Sequence, residues 1–398
     1  MPVGRFIFSA RTDWDPAPNR LTLLLSRLRA EQVPLLDLTE SNPTHCGLAY
    51  PVEEITSLLA NPASLAYEPD PKGMLVAREA VAADYRQRGV EIPPGRILLT
   101  ASSSEAYSFL FRLLAAPGES VLAPAPCYPL FELLARINDV ELRHYALDAG
   151  HRFSVDPDEV ARQIAACRPR ALLVVSPGNP TGTFLKRDEM EALSVLCAAA
   201  GVPIICDEVF GDYALAEDDT RAATMIGPRP ALTFVLNGLS KMLALPQMKL
   251  GWIAVSGPAE AAAEAMRRLE VIADTFLSVN TPVQNALPGL LDLRPAIQAR
   301  VHERLTVNKL RIDRSAGSDG PCRCLPIEGG WSAILQVPRT RSDEEWALML
   351  LEEEQVVTHP GYFFDFPTEG HLVVSLVVEP GLFASGVDRI VRRVTRET

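Results

Sequence analysis

Lysine is scarce in this chain: of 398 residues five are lysine, at 72, 186, 241, 249 and 309, against 33 arginines. Fixed positive charge is carried by guanidinium groups, so each lysine stands out as an amine in a sequence that rarely uses one. Other absences narrow the field. No apolar run approaches the length of a membrane span, although 47% of the residues are hydrophobic, and no contact with a membrane is expected. The net charge is −12 with both signs interspersed, and there is no basic stripe to neutralise the phosphates of a nucleic acid. Seven cysteines contain no CxxC pair and no histidine at metal-ligand spacing. The expectation is buried free thiols and no metal, with Cys322 and Cys324 as the one pair suggesting redox or metal chemistry. No GxGxxG follows a strand-like run, which argues against a dinucleotide enzyme. The opening "MPVGRFIFSARTDWDP" has no continuous apolar segment and meets Asp13 and Asp15 early, so a cytoplasmic location is expected.

What is present is alternation. The chain is long enough for two or three structural units. Between residues 97 and 257, apolar runs such as "SVLAP", "ALLVVSP", "PIICDEV", "LTFVLNG" and "LGWIAVSG" are separated by segments with helical periodicity, among them "YPLFELLARIN" and "RDEMEALSVLCAAAG". Strand, helix, strand at this spacing predicts an α/β domain, a mostly parallel sheet flanked by helices. From about residue 300 the pattern changes to a compact α+β unit with strands near "GGWSAILQV", "QVVTHPG" and "HLVVSLVV" and a helix through "SDEEWALMLLEEE". We read a large domain over 46–290 and a small domain made of 1–45 and 291–398.

In open α/β sheets ligands bind at the carboxyl ends of strands, so the residues where apolar runs stop carry the information. "ILLT" leads into "ASSSEAYSFLF", a helix start with Ser102 and Glu105 spaced as a capping box and small residues that leave N–H groups free for an anion. "ALLVV" runs into "SPGNPTG", where two prolines and two glycines forbid helix and sheet and present Asn179 at the sheet edge. "VPIIC" ends in Asp207, which either caps the next turn or pairs with a buried cation. "LTFVLNG" ends in Leu239-Ser240-Lys241, with Lys249 eight residues later. Taken singly these are a cap, a turn, and surface charges. Together they offer an amine for an imine, a carboxylate for a heterocyclic nitrogen, an amide for a phenolic oxygen and a cup for a phosphate. Pyridoxal 5′-phosphate needs all four.

The run "SPGNPTG", then "CDEV", then "GLSK" and "KLGW", resembles the class I/II, fold-type I pyridoxal-phosphate-dependent aminotransferases in order and spacing, and the likeness extends from "LTESNP" to the C-terminal strands. The resemblance implies a fold-type I structure and a two-stage transfer of an amino group from a donor to a carbonyl acceptor. It implies that Lys241 carries the cofactor and moves the proton, and that Asp207 holds the ring nitrogen. It places Asn179 at the ring oxygen and Tyr128, in "APCYPLF", on the ring face. Ser103, Ser104 and Lys249 would take the phosphate, and Tyr67, in "AYEPDPKG", would reach the cofactor of a neighbouring subunit in a homodimer. Two rivals stand beside it: an eliminating lyase on the same scaffold, and a non-catalytic regulatory protein that binds the cofactor. The 45 residues before the large domain are too few and not basic enough for the DNA-binding part such regulators carry.

Four positions depart from the family pattern. Phe210 stands where a tyrosine often bonds the ring oxygen, Lys249 where arginine commonly meets the phosphate, and Gly238 where many members have a phosphate-binding serine. Near the C-terminus "EGHLVVSLVVEP" has Val373 and Val374 where an arginine usually clamps the substrate's α-carboxylate. Ser41 and Asn42, in "TESNPT", lie where a family glycine offers its backbone to that carboxylate. Three explanations are open: another cation substitutes, with Arg11 and Arg5 ahead of Arg20; the substrate lacks a free α-carboxylate; or the strand end is displaced.

Overall fold

The computed structural model describes residues 8–15, 17–317 and 320–397. A two-residue strand, β1 (Leu36–Asp37), comes first. The central sheet is built from β2 (Ile97–Thr100), β3 (Ser120–Ala125), β4 (Glu141–Ala146), β5 (Leu172–Val175), β6 (Ile204–Asp207), β7 (Thr233–Gly238) and β8 (Gly251–Ser256), in the spatial order β2-β8-β7-β6-β5-β3-β4. Strands β3 to β7 pair parallel with one another, and β8 runs antiparallel to both its neighbours.

The two-residue period of the strands divides their side chains between two cores. Leu99, Leu122, Leu172, Ile204, Val235 and Trp252 pack on one face with the helices Leu75–Gln87, Arg187–Ala200 and Thr281–Asp292. Leu98, Val121, Leu173, Ile205, Phe234 and Ile253 pack on the other with Ser103–Leu114 and Ala259–Asp274. Burial on both faces is why these strands read as unbroken apolar runs.

The later strands are β9 (Arg323–Cys324), β10 (Ser332–Gln336), β11 (Val356–Val357), β12 (His359–Pro360) and β13 (His371–Ser375). Four of them form an antiparallel sheet in the order β12-β13-β10-β9, while β11 pairs parallel with β1. The helix Asp343–Glu354 begins with a capping box between Ser342 and Glu345. Its Trp346 and Leu350 join Val374, Phe383 and Ile390 in a third core that also takes Leu21, Leu28 and Leu38 from the start of the chain. Phe210, Tyr213 and Ala244, from the segments after β6 and β7, enter the same core. The two halves of the molecule therefore meet where the central strands end.

Candidate active site

Lys241 sits on a one-turn helix, Leu239–Met242, directly after β7. The Tyr213 hydroxyl donates to the carbonyls of Lys241 (2.7 Å) and Met242 (3.2 Å), and the Tyr50 hydroxyl donates to that of Ala244 (2.8 Å). These bonds fix the backbone under the lysine. The amine lies 5.4 Å from the centre of the Phe210 ring and 5.1 Å from that of Trp331. Burial lowers the pKa of the Lys241 amine, and the charge of Asp207 opposes that shift. At Gly238, a Cβ would stand 2.7 Å from the Gly251 Cα and 2.9 Å from the Leu250 carbonyl oxygen, so the close approach of β7 and β8 leaves no room for the family's serine.

Asp207 ends β6 and is buried. Its Oδ2 accepts from the Tyr107 hydroxyl at 2.8 Å and its Oδ1 from the Val209 N–H at 3.0 Å. Burial raises its carboxyl above the ordinary range, against the pull of these two donors and Lys241. Tyr128 precedes the helix Leu130–Ile137, about a third exposed, with its ring edge-on to Phe131. Its phenol is raised first by burial and then by the charge of Asp207.

The loop after β5 is held at both ends: Ser176 N–H donates to the Asp207 carbonyl (2.9 Å) and Gly178 N–H to that of Thr183 (2.9 Å). Gly182 has φ +69°, and a Cβ there would lie 2.6 Å from the Gly329 carbonyl oxygen, so turn and packing both require glycine. The loop presents Asn179, whose Oδ1 is 3.5 Å from Ser332 Oγ at the start of β10. At the start of the helix Ser103–Leu114, Ser102 Oγ accepts from Glu105 N–H, but Glu105 returns its carboxylate to Ala101 N–H rather than to Ser102. The box is displaced by one residue. The N–H groups of Ser103 and Ser104 have no acceptor among the described residues, as an anion cup requires. Lys249 lies exposed at φ +51°, two residues before β8.

A family model described as "Aminotransferase class I and II" matches residues 34–390. The chain belongs to the class I and II aminotransferase family. It is 24% identical over 352 residues to the glutamate-pyruvate aminotransferase AlaA of Escherichia coli strain K12, covering 87% of this chain and 86% of that protein. It is 25% identical over 387 residues to the alanine aminotransferase of Mycobacterium bovis, covering 92% and 86%. Among solved structures, the alanine aminotransferase from Pyrococcus furiosus matches with a TM-score of 0.86 at 22% identity, covering 98% of this chain and 100% of that one. An aspartate aminotransferase double mutant from Thermus thermophilus gives 0.84 at 22%, with the same coverage. The fold is that of the fold-type I aminotransferases, the activity is amino-group transfer, and a lyase is not favoured by relatives that carry aminotransferase names.

The remaining expected residues of the aminotransferase divide. Arg11 does not reach the site: its guanidinium pairs with Asp139, with Nε 2.8 Å from Oδ1, just before β4 begins. That is the amino edge of the sheet, opposite the strand ends where the other candidate residues gather. Arg20 pairs with Glu344, exposed, and Arg5 lies outside the described residues. Asn42 Oδ1 accepts from Thr44 N–H (3.1 Å) and Thr44 Oγ (2.8 Å), capping the turn Pro43–His45, which occupies its carbonyl. Ser41 is exposed, three residues beyond Leu38, whose carbonyl accepts from Ser375 N–H at the end of β13. Tyr67 is 76% exposed beside Asp70, Leu277 and Ser278. Val373 and Val374 are buried in β13, paired with Ile334 and Ala333, and Val373 packs with Phe153 and Phe364. The strand is where the sequence placed it, and its apolar character is real. Cys167 and Cys324 are half-buried rather than buried like the other five thiols.

Tyr107, Tyr213 and Trp331 were not anticipated. Each looks like an ordinary core aromatic in sequence, and only the fold brings them to Asp207 and Lys241.

Proposed function

We propose that the aminotransferase uses pyridoxal 5′-phosphate, held by Lys241, Asp207, Asn179, Tyr128, Ser103, Ser104 and Lys249. One observation carries this reading: a half-buried amine, on the single helical turn that follows β7, and a buried carboxylate, at the end of the neighbouring β6, are close enough for their charges to influence each other. The donor set suits the cofactor, with an anion cup of unpaired N–H groups, an amide on a stiff loop and an aromatic ring beside the carboxylate. When bound, the cofactor supplies a conjugated ring that withdraws electrons from the substrate carbon bearing the amine.

The chain's own residues do the rest. Lys241 Nζ takes and returns a proton, and its lowered pKa keeps more of it neutral near physiological pH than an exposed lysine allows. Asp207 stays anionic opposite a cationic ring nitrogen, and the Tyr107 hydroxyl orients it. Phe210 and Trp331 exclude water from the amine. We place the enzyme in the cytoplasm as a homodimer, with the exposed Tyr67 reaching the partner's cofactor, and read 46–290 as the large domain.

The donor is the open part of the reading. With β13 apolar at Val373 and Val374 and Arg11 tied to Asp139, we infer that the α-carboxylate is not gripped from either place. A donor lacking a free carboxylate fits that surface. Cofactor-loaded protein should be mixed with a panel of amines with and without an α-carboxylate, in single turnover, while mass spectrometry follows pyridoxamine phosphate, with Lys241→Ala as control. Conversion by the panel supports the reading. Preference for donors without a carboxylate supports the donor class, and no conversion by any donor overturns the assignment of the site.

A further inference from the structure

The side chains of Cys127, His144 and Asp365 come from three separate segments, and one donor atom from each lies within 4.8 Å of the other two. Cys127 follows β3 and is buried, with its N–H donating to the Phe364 carbonyl at 2.8 Å. His144 is in β4 opposite Ala123, half-buried, and its ring has no hydrogen-bond partner among the described residues. Asp365 follows the turn Gly361–Phe364 at φ +58°, a conformation aspartate tolerates, and among the described residues its carboxylate has one hydrogen-bond partner, the Cys127 thiol at 3.8 Å.

We propose that these three residues form a site for a divalent cation of the zinc class, bound by one thiolate, one imidazole and one carboxylate, with water completing a tetrahedron. The composition is what a borderline-soft ion selects, and three protein ligands with one open position is a common zinc arrangement. Binding replaces the S–H bond of Cys127 with a sulfur–metal bond and releases its proton to solvent. The thiolate and the Asp365 carboxylate then balance the two charges of the ion. Tetrahedral ligands sit about 3.5 Å apart at zinc bond lengths, so rotamer adjustments of about 1 Å complete the geometry. Glu132, exposed on the following helix and close enough to influence the Cys127 thiol, adds a further negative charge. An occupied site would staple the turn Gly361–Phe364 to the sheet edge beside Tyr128. Sequence spacing gave no hint of it because the ligands stand on different elements.

The cofactor-loaded protein, freed of metal with a chelator, is titrated with zinc against a chromophoric zinc indicator, and separately with cobalt. The expected result is one zinc per chain, a near-ultraviolet thiolate-to-cobalt band and a higher unfolding midpoint with zinc. Cys127→Ser should lose the band, and His144→Ala and Asp365→Asn should bind more than about a hundredfold more weakly. The latter two change less buried positions, so folded protein, checked by circular dichroism, remains available if Cys127→Ser fails to fold. Absence of zinc uptake by the unaltered protein, or uptake by His144→Ala and Asp365→Asn equal to it, overturns the proposal.

Discussion

The Tyr107 hydroxyl donates to Asp207 Oδ2 across 2.8 Å, with both side chains buried. Tyr107 belongs to the helix whose first residues are Ser103 and Ser104. One helix therefore carries both the free N–H groups of Ser103 and Ser104 and the hydroxyl that holds the carboxylate.

Tyr107→Phe keeps the ring packed against Phe111 and Phe131 and removes only the donor. Losing a hydrogen bond to a buried charged group costs about 1.5 kcal/mol or more of stability, so the unfolding midpoint should fall by a few degrees, and kcat/KM of the folded enzyme should fall about tenfold as the carboxylate loses its orientation. Steady-state kinetics beside a thermal melt separates this from a general loss of structure.

The pKa of Lys241 is lowered by burial and partly restored by Asp207. Asp207→Asn removes the restoring charge, so the pKa of the amine should fall further. In cofactor-free protein, the pH midpoint for the reaction of Lys241 with pyridoxal phosphate, followed by absorbance, should move to lower pH. A midpoint that rises or stays put refutes the coupling.

Burial raises the Glu208 carboxyl from 4.5 to about 7, against donors at Met225 N–H and Thr224 Oγ. The folded protein holds this proton more tightly than the unfolded chain. The stabilisation is complete below pH 4.5 and is lost as the pH rises to about 7. Replacing the group by Glu208→Gln should remove that loss, so the difference in unfolding free energy between the two proteins should change across this window by up to about 3 kcal/mol. Denaturant melts at several pH values measure it.

Gly238→Ser restores the residue many family members carry, yet its Cβ meets the Gly251 Cα at 2.7 Å. The expected cost is about 1–3 kcal/mol of stability, with no gain in cofactor affinity. Unfolding midpoints and equilibrium dialysis of the cofactor report the two quantities.

Arg11→Ala breaks an exposed pair at the amino edge of the sheet. KM for amino-acid donors should stay within about twofold of the unaltered enzyme, since such pairs contribute little even to stability. A much larger rise in KM would return Arg11 to the site.

The sequence was most readable where backbone demands leave few residue choices. Strand ends at Val175, Asp207 and Gly238 follow from buried apolar runs meeting turn chemistry, and the "SPGNPTG" loop announces itself by what it cannot form. Long-range pairing was not readable. Nothing near Arg11 points to Asp139, and nothing in "SEAYSF" distinguishes Tyr107 from a core aromatic until the helix lies against β6. The Cys127, His144 and Asp365 cluster was hidden for the same reason, because convergence in space leaves no spacing in the chain.

Strand β2 has a single partner in the central sheet, β8, with Ile97 opposite Ala254. During synthesis β2 must wait for the ribosome to deliver more than half of the remaining chain before gaining its strand partner. Parallel strands β3 to β7 can associate earlier, but the edge that carries the anion cup closes last, after the lysine has emerged. If the cofactor is held as proposed, a nascent chain stalled before β8 should be unable to retain it.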